Sequence, residues 1–296
     1  MRYETSAAFR RALEERLRQQ SLTSAAPLAR LRKMVAFERF LARLATAQPD
    51  VWVLKGGLAL QFRLGERART TQDVDLLLRQ TLPVAEIHQR LVQAALLDLG
   101  DWFLFEVGLP SQPASLRFGV HSRLDGRLFE TFHIDVGVGD PLTEPVEMLS
   151  APSLLAFADI FPLPIPSYPI AQQIAEKVHA FTRPYAGGES SRVKDLADIL
   201  LLAGWGTLEA ESLRRALQAT FTARSTHPLP PRLPAPPSSW ERSFLRLARQ
   251  IGLEYTTLED AAQDINCFLD PILGGQAAGR WNPLQWRWER VLLSHT

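Results

Sequence analysis

Residues 73–78 read Asp-Val-Asp-Leu-Leu-Leu, a strand-length segment whose first two charges stand one residue apart. In an extended chain, residues i and i+2 point to the same side. Asp73 and Asp75 therefore share a face, roughly 6.6 Å apart along the backbone. Charges at the mouth of an apolar strand are costly unless something binds them. Two carboxylates that close also repel when both are ionised. A divalent cation removes the repulsion, and Mg²⁺ suits it: the ion takes one or two protein carboxylates and completes its shell with water and substrate phosphates. Read alone, the pair also fits a solvated junction between loop and strand.

The surroundings narrow the choice. "VWVL" at 51–54 reads as a buried strand, and Lys55, Gly56 and Gly57 as the turn into a short helix near 58–64. Glycine at such a turn lets backbone N–H groups come close to a phosphate. Arg69, Thr70 and Thr71 precede the acids and supply a cation and two hydroxyls. Asp135, between Ile134 and Val136 in "FHIDVGVGD", is the third acid that a two-metal arrangement needs on a nearby strand. Its other reading is a hydrogen-bonded Asp on an edge strand.

A second cluster is helical. "QQIAEKVHAF" (172–181) sets Glu176 and Lys177 beside His179, and "SSRVKDLADILLL" (190–202) carries Arg192, Lys194, Asp195 and Asp198. Asp195 and Asp198 are three apart and share a helix face, where Lys177 is a natural partner for Asp195 or for a triphosphate. Two amphipathic helices joined by ordinary salt bridges would show the same pattern. His179 lacks a second histidine at metal-ligand spacing.

The rest of the chain frames these clusters. Its 296 residues, 46% hydrophobic and 22% charged, suit a folded globular protein with a sizeable core. Two helices open it. Phe9, Leu13 and Leu17 repeat at helical spacing, and a second helix over about 28–46 carries Leu31, Val35 and Leu41. Further helices are expected over 83–98, 152–161, 170–182, 191–203, 207–223, 238–251 and 257–269. Strands are expected at 102–107, 114–120 and 128–138. A proline-rich connector fills 227–237, and the three tryptophans of "RWNPLQWRWERVLL" are expected to cover apolar surface rather than stack on bases. The divisions are a helical arm (1–50), an α/β core with a small mixed sheet (51–150) and a helical C-terminal domain (151–296).

No apolar run approaches the ~20 residues a membrane helix requires. The charged N-terminal stretch is unlike a signal peptide. The single cysteine, Cys267, leaves no internal disulfide and no cysteine-rich zinc site. A cytoplasmic protein is expected. Net charge is only +1, so no global field advertises nucleic acid. Arginines in the basic helices of 1–46, with Arg214, Arg215 and Arg224, are the candidates for gripping a polyanion.

Taken in order, "KGG…RTTQDVDL…IDVG…AEKVHAF…RVKDLADILLL" resembles the AbiEii/MenT-type nucleotidyltransferase toxins of type IV toxin–antitoxin systems, over about residues 51–202. The resemblance implies a nucleotidyltransferase core and transfer of NMP from an NTP, dependent on Mg²⁺ with Mn²⁺ as a substitute. The implied acceptor is the tRNA 3′ end, and the consequence is blocked translation. Catalytic roles fall on Asp73, Asp75, Lys177 and Asp195. Nucleotide-binding roles fall on Lys55, Gly56, Gly57, Arg69, Thr71, Lys194 and Asp198, and metal ligation on Asp73, Asp75 and Asp135. A cognate antitoxin is implied as partner, with the protein itself a monomer. The wider nucleotidyltransferase superfamily usually has Gly-Ser where this chain has Gly56-Gly57, and close relatives often have Ser where it has Thr71. Two other functions stay open: AMP transfer to protein hydroxyls, and a catalytically silent partner-binding module.

Overall fold

The computed structural model describes residues 1–24, 26–110, 112, 115–184 and 192–290. Ser190, Ser191 at the start of the expected helix at 191–203, Ala114 at the start of an expected strand, and the last residues of the tryptophan segment lie outside the described residues. The chain forms two compact units. One comprises residues 1–66, 70–139 and 147–167; the other comprises 67–69, 140–146 and 168–296.

The first unit is a mixed α/β body, as the strand and helix patterns anticipate. Its helices are α1 (Ser6–Thr23), α2 (Leu28–Ala47), α3 (Gly56–Leu64) and α4 (Val84–Ala95). Its strands are β1 (Trp52–Lys55), β2 (Asp73–Leu78), β3 (Phe103–Val107), β4 (Arg117–Leu124), β5 (Arg127–Val138), β6 (Glu147–Leu149) and β7 (Ile165–Ser167). They make one sheet in the order β3-β4-β5-β2-β1-β7-β6. β2 runs parallel to β5 and β1 parallel to β7, while the other neighbours are antiparallel. The expected helical repeat of α1 holds: Phe9, Leu13 and Leu17 are buried, with Leu31, Val35 and Leu41 of α2 in the same core as Val74, Leu76 and Leu78 of β2. Period two explains that split, because alternate residues of β2 leave Asp73 and Asp75 on the opposite face.

The edge strand β3 is engaged at both ends. Phe103 N donates to Asp101 Oδ1 at 3.1 Å, and Arg43 Nη2 donates to Phe103 O at 2.7 Å. His88 Nε2 lies 3.2 Å from Val107 O. Asp101 and Arg43, held in a buried group with Arg39 and Glu38, thus occupy one end of an edge that would otherwise invite pairing, and His88 occupies the other.

One expectation is overturned and one element was missed. Residues 152–161 form no α-helix: only a short 3₁₀ turn at Ala156–Ala158 appears, ended by Asp159 at φ 57°. Asp159 in the left-handed region turns the chain out of the helical path after one turn, and Pro162 and Pro164 prevent a helix from resuming. The hairpin β6–β7 was not expected either. Its strands are three residues long, and Pro166 sits inside β7, where proline ordinarily argues against a strand.

The second unit is mainly helical: α5 (Ile170–Thr182), α6 (Val193–Ala203), α7 (Ala210–Arg224), α8 (Glu241–Gln250) and α9 (Leu258–Leu273). It ends in a hairpin of β8 (Arg280–Asn282) and β9 (Arg287–Glu289). The tryptophans pack, as expected. Trp281 is fully buried and donates to Ala203 O; Trp286 and Trp288 donate to Asp264 O and Phe268 O. Among the described residues, no helix is long and apolar enough to cross a membrane.

Candidate active site

Strand register in the first unit builds a charged row. Lys55 of β1 is paired with Asp75 of β2, Asp75 with Asp135 of β5, and Asp135 with Arg117 of β4. Register partners on neighbouring strands show their side chains on one face. The sheet therefore carries Lys55, Asp75, Asp135 and Arg117 side by side, with Asp73 two residues behind Asp75 and opposite His133. Arg117 spans two of the acids. Its Nη2 lies 3.1 Å from Asp73 Oδ1, and its Nη1 donates to Asp135 Oδ2. His133 Nδ1 is 3.5 Å from Asp73 Oδ1. Burial and the nearby Asp73 charge push the Asp135 carboxyl above the usual carboxylate range, against the pull of Arg117.

Gly56 shapes the row from the other side. It opens α3 with φ +64°, a conformation that favours glycine, and a Cβ built on it would lie 2.0 Å from Asp75 Oδ2. The Asp75 carboxylate thus rests against the first turn of α3, where helix N–H groups and the helix dipole favour negative charge. Gly57 behind it is buried. Thr71 is also buried, and its hydroxyl donates to Asp73 O at 3.3 Å, fixing the entry into β2.

The second unit contains the other sequence-predicted residues. Lys177 on α5 lies 3.1 Å from Asp195 Oδ1 and 2.9 Å from Asp198 Oδ2 on α6. Arg69 forks onto Asp198 with three contacts of 3.0–3.2 Å, and Arg192 reaches Asp195 at 3.3 Å. Burial works to lower the Lys177 pKa, yet Asp198 and then Asp195 outweigh it and hold the ammonium above the usual lysine range. Lys194 points away, exposed on α6. Consecutive helix residues diverge by about 100°, so Glu176 serves a different group. With Asp140 it holds Arg224 of α7, and the Tyr168 hydroxyl lies 3.5 Å from both acids. His179 meets the Thr226 hydroxyl at 2.9 Å and is pushed down to about 4 by burial and Arg224. It is neutral in the core, with the His227 ring 4.7 Å away.

Three arginines expected to face a polyanion are otherwise engaged. Arg224 is held by Asp140 and Glu176, Arg214 by Glu211 and Ala277 O, and Arg215 by Glu144. Arg11, Arg16 and Arg18 of α1 remain exposed, and a further exposed arginine stripe lies on α8, where Arg242, Arg246 and Arg249 recur at i, i+4 and i+7. That spacing was readable in "ERSFLRLARQ". Arg117 and His133 were also missed, because their relevance depends on strand register.

Among the described residues, no group of three or more His, Cys, Asp or Glu side chains is gathered so as to hold a metal ion as it stands. The donor set of the sheet row nevertheless fits a hard divalent cation. Asp73 and Asp75 on β2 and Asp135 on the neighbouring β5 offer carboxylate oxygens on one face, and a guanidinium already sits across two of them.

Solved structures are similar to this chain to different degrees. The nucleotidyltransferase toxin MenT4 of Mycobacterium tuberculosis H37Rv superposes with a TM-score of 0.57 at 17% identity, covering 89% of this chain and 98% of MenT4. JHP933 of Helicobacter pylori gives a TM-score of 0.43 at 16% identity, over 80% of this chain and 97% of its own. No curated protein matches the sequence. The sequence model of the family described as "Nucleotidyl transferase AbiEii toxin, Type IV TA system" matches residues 39–292. That span takes in both units' charged clusters and most of the chain, and the protein belongs to the AbiEii nucleotidyltransferase toxin family.

Proposed function

We propose that the protein transfers NMP from an NTP to an RNA 3′ end, with tRNA as the acceptor, and so blocks translation. The observation that carries this reading is the register row of Lys55, Asp75, Asp135 and Arg117, with Asp73 on the same face. Asp73, Asp75 and Asp135 are the residues that would hold Mg²⁺, or Mn²⁺ in its place, and the bound ion would neutralise charge on the triphosphate. Lys55 and the N–H groups of Gly56 and Gly57 are assigned to the nucleotide phosphates, and the Thr71 hydroxyl, through Asp73 O, to fixing the acids that serve them. Lys177 stays protonated throughout the working pH range. With Arg69, which Asp198 orients, it is assigned the charge that builds on the leaving pyrophosphate, the kind of stabilisation that dominates phosphoryl transfer. Asp195, tied to Lys177 and Arg192, is a positioning residue. Asp135, whose carboxyl is shifted upward, is the better acceptor for the proton of the attacking 3′-hydroxyl. The arginine stripe of α8 suits a phosphodiester backbone. The protein is assigned to the cytoplasm as a monomer, with a cognate antitoxin as partner.

The test is transfer from each of the four α-labelled NTPs to total tRNA with Mg²⁺ present. Label should enter tRNA from at least one NTP. Asp73→Ala should reduce it by about 10²-fold or more while leaving the urea midpoint close to wild type, since Asp73 is partly exposed. Label entering protein would instead indicate AMP transfer to hydroxyl side chains. No label and no heat of Mg–NTP binding would leave a partner-binding module.

A further inference from the structure

Two kinds of arginine meet the sheet of the first unit. Arg39 and Arg43 are buried and hold Asp101 at 2.7–2.9 Å; their place is fixed, because moving either would strand a buried charge. Arg117 differs. It stands at the first position of β4, its side chain is 42% exposed, and it touches two carboxylates from two different strands, Asp73 of β2 and Asp135 of β5. One guanidinium nitrogen goes to each acid. A cation placed there cancels the mutual repulsion of Asp73 and Asp135, which is the electrostatic task of a divalent ion at the same acids.

We propose that Arg117 is the resident counter-ion of the acid row, holding Asp73 and Asp135 until a divalent cation takes them, and then giving them up. The inference rests on reading those acids as metal ligands, and it adds a competitor that the reading by itself does not contain. The exposure of Arg117 makes the exchange feasible. Partly solvated ion pairs are individually weak, so the guanidinium leaves for water at small cost. A cation of charge +2 gains more from the same carboxylates than a guanidinium of charge +1 does. While Arg117 is in place, however, an incoming ion meets a positive charge between two of its ligands. Apparent metal affinity is lowered by whatever Arg117 gains from the pair.

The experiment titrates Mn²⁺ alone, reading the free ion by its electron paramagnetic resonance signal, against wild type, Arg117→Gln and Arg117→Lys. Circular dichroism and urea midpoints establish that each is folded. Arg117→Gln should bind Mn²⁺ about three- to tenfold more tightly, the range expected for losing two partly exposed ion pairs. Arg117→Lys, which keeps a positive charge, should stay within about twofold of wild type. Equal or weaker binding by Arg117→Gln overturns the inference and leaves the metal assignment standing. Absence of Mn²⁺ binding in every protein overturns both. A second measurement needs no variant. Saturating Mg²⁺ should speed rotation of the Arg117 guanidinium in arginine-selective NMR of the wild-type protein, and a signal that does not move overturns the inference as well.

Discussion

Replacing Lys177 with methionine separates what the ammonium does for the fold from what it does for transfer. The side chain is 13% exposed and contacts Asp195 at 3.1 Å and Asp198 at 2.9 Å. Asp198 is fully buried and would keep Arg69, which forks onto it through three contacts. Among the described residues, Asp195 would keep Arg192, at 3.3 Å. Removing one partner of a buried pair typically costs about 3–5 kcal/mol, because the remaining charge is left uncompensated. Here one acid keeps a strong partner and water reaches the edge of the cluster, so the expected loss is at the low end, about 3 kcal/mol. Methionine preserves most of the packing. The assay is equilibrium urea unfolding alongside transfer measured well below the unfolding midpoint. Transfer should fall by about 10²-fold or more even where the variant is fully folded. Stability within about 0.5 kcal/mol of wild type, the range of an ordinary surface substitution, would refute the reasoning that Lys177 neutralises two buried acids. Full transfer by the folded variant would refute its catalytic role and leave a structural salt bridge.

Gly56→Ala should cost about 2 kcal/mol in urea unfolding, because an L-residue must adopt φ +64° and its Cβ falls 2.0 Å from Asp75 Oδ2. The same displacement should weaken Mn²⁺ binding, and unchanged Mn²⁺ affinity would show that the Asp75 carboxylate is not held by that contact. Glu38→Gln should stabilise the protein at neutral pH. Burial pushes the Glu38 carboxyl up from 4.5 to about 7, so the folded state binds the proton more tightly than the unfolded one. The contribution to stability therefore declines as pH rises from about 4.5 to 7, and the deficit is complete above that, amounting to at most about 3 kcal/mol. Thermal melts of both proteins from pH 4.5 to 8 should diverge with rising pH; parallel curves would show that Glu38 ionises normally.

The residues that could be read directly are those whose relations are local. Asp73 and Asp75 share a face because a strand repeats every two residues, and β2 begins at Asp73 in the structure. Asp195 and Asp198 share a face of α6 because a helix brings residues three apart together, and Lys177 meets both. What escaped depends on distant segments. Arg224 looked available to RNA because nothing near it in sequence is acidic, yet Asp140 and Glu176 hold it from 84 and 48 residues away. The β6–β7 hairpin escaped because three-residue strands have no period to detect and one of them contains a proline.

Arg117 shows most sharply why the charged row was not legible. The hairpin β4–β5 closes through Asp125 and Gly126, both at positive φ, as a two-residue turn requires. Counting outward from Leu124 opposite Arg127 without interruption would set Arg117 against Ile134. Because side chains alternate, that one-residue difference would turn Arg117 away from the acids. The observed pairing shifts between Ser122 and Arg123: Arg123 pairs with Leu128 but Ser122 with Glu130, which leaves Phe129 as an extra residue in β5. From there inward Arg117 faces Asp135. The bulge is held by α2, whose Arg32 donates to Phe129 O and lies 4.4 Å over the centre of its ring. A bulge of this kind re-aims every side chain beyond it. The charge arrangement at Asp73 and Asp135 is therefore set by a contact between a helix and a strand 97 residues apart in sequence, which no local pattern in either segment encodes.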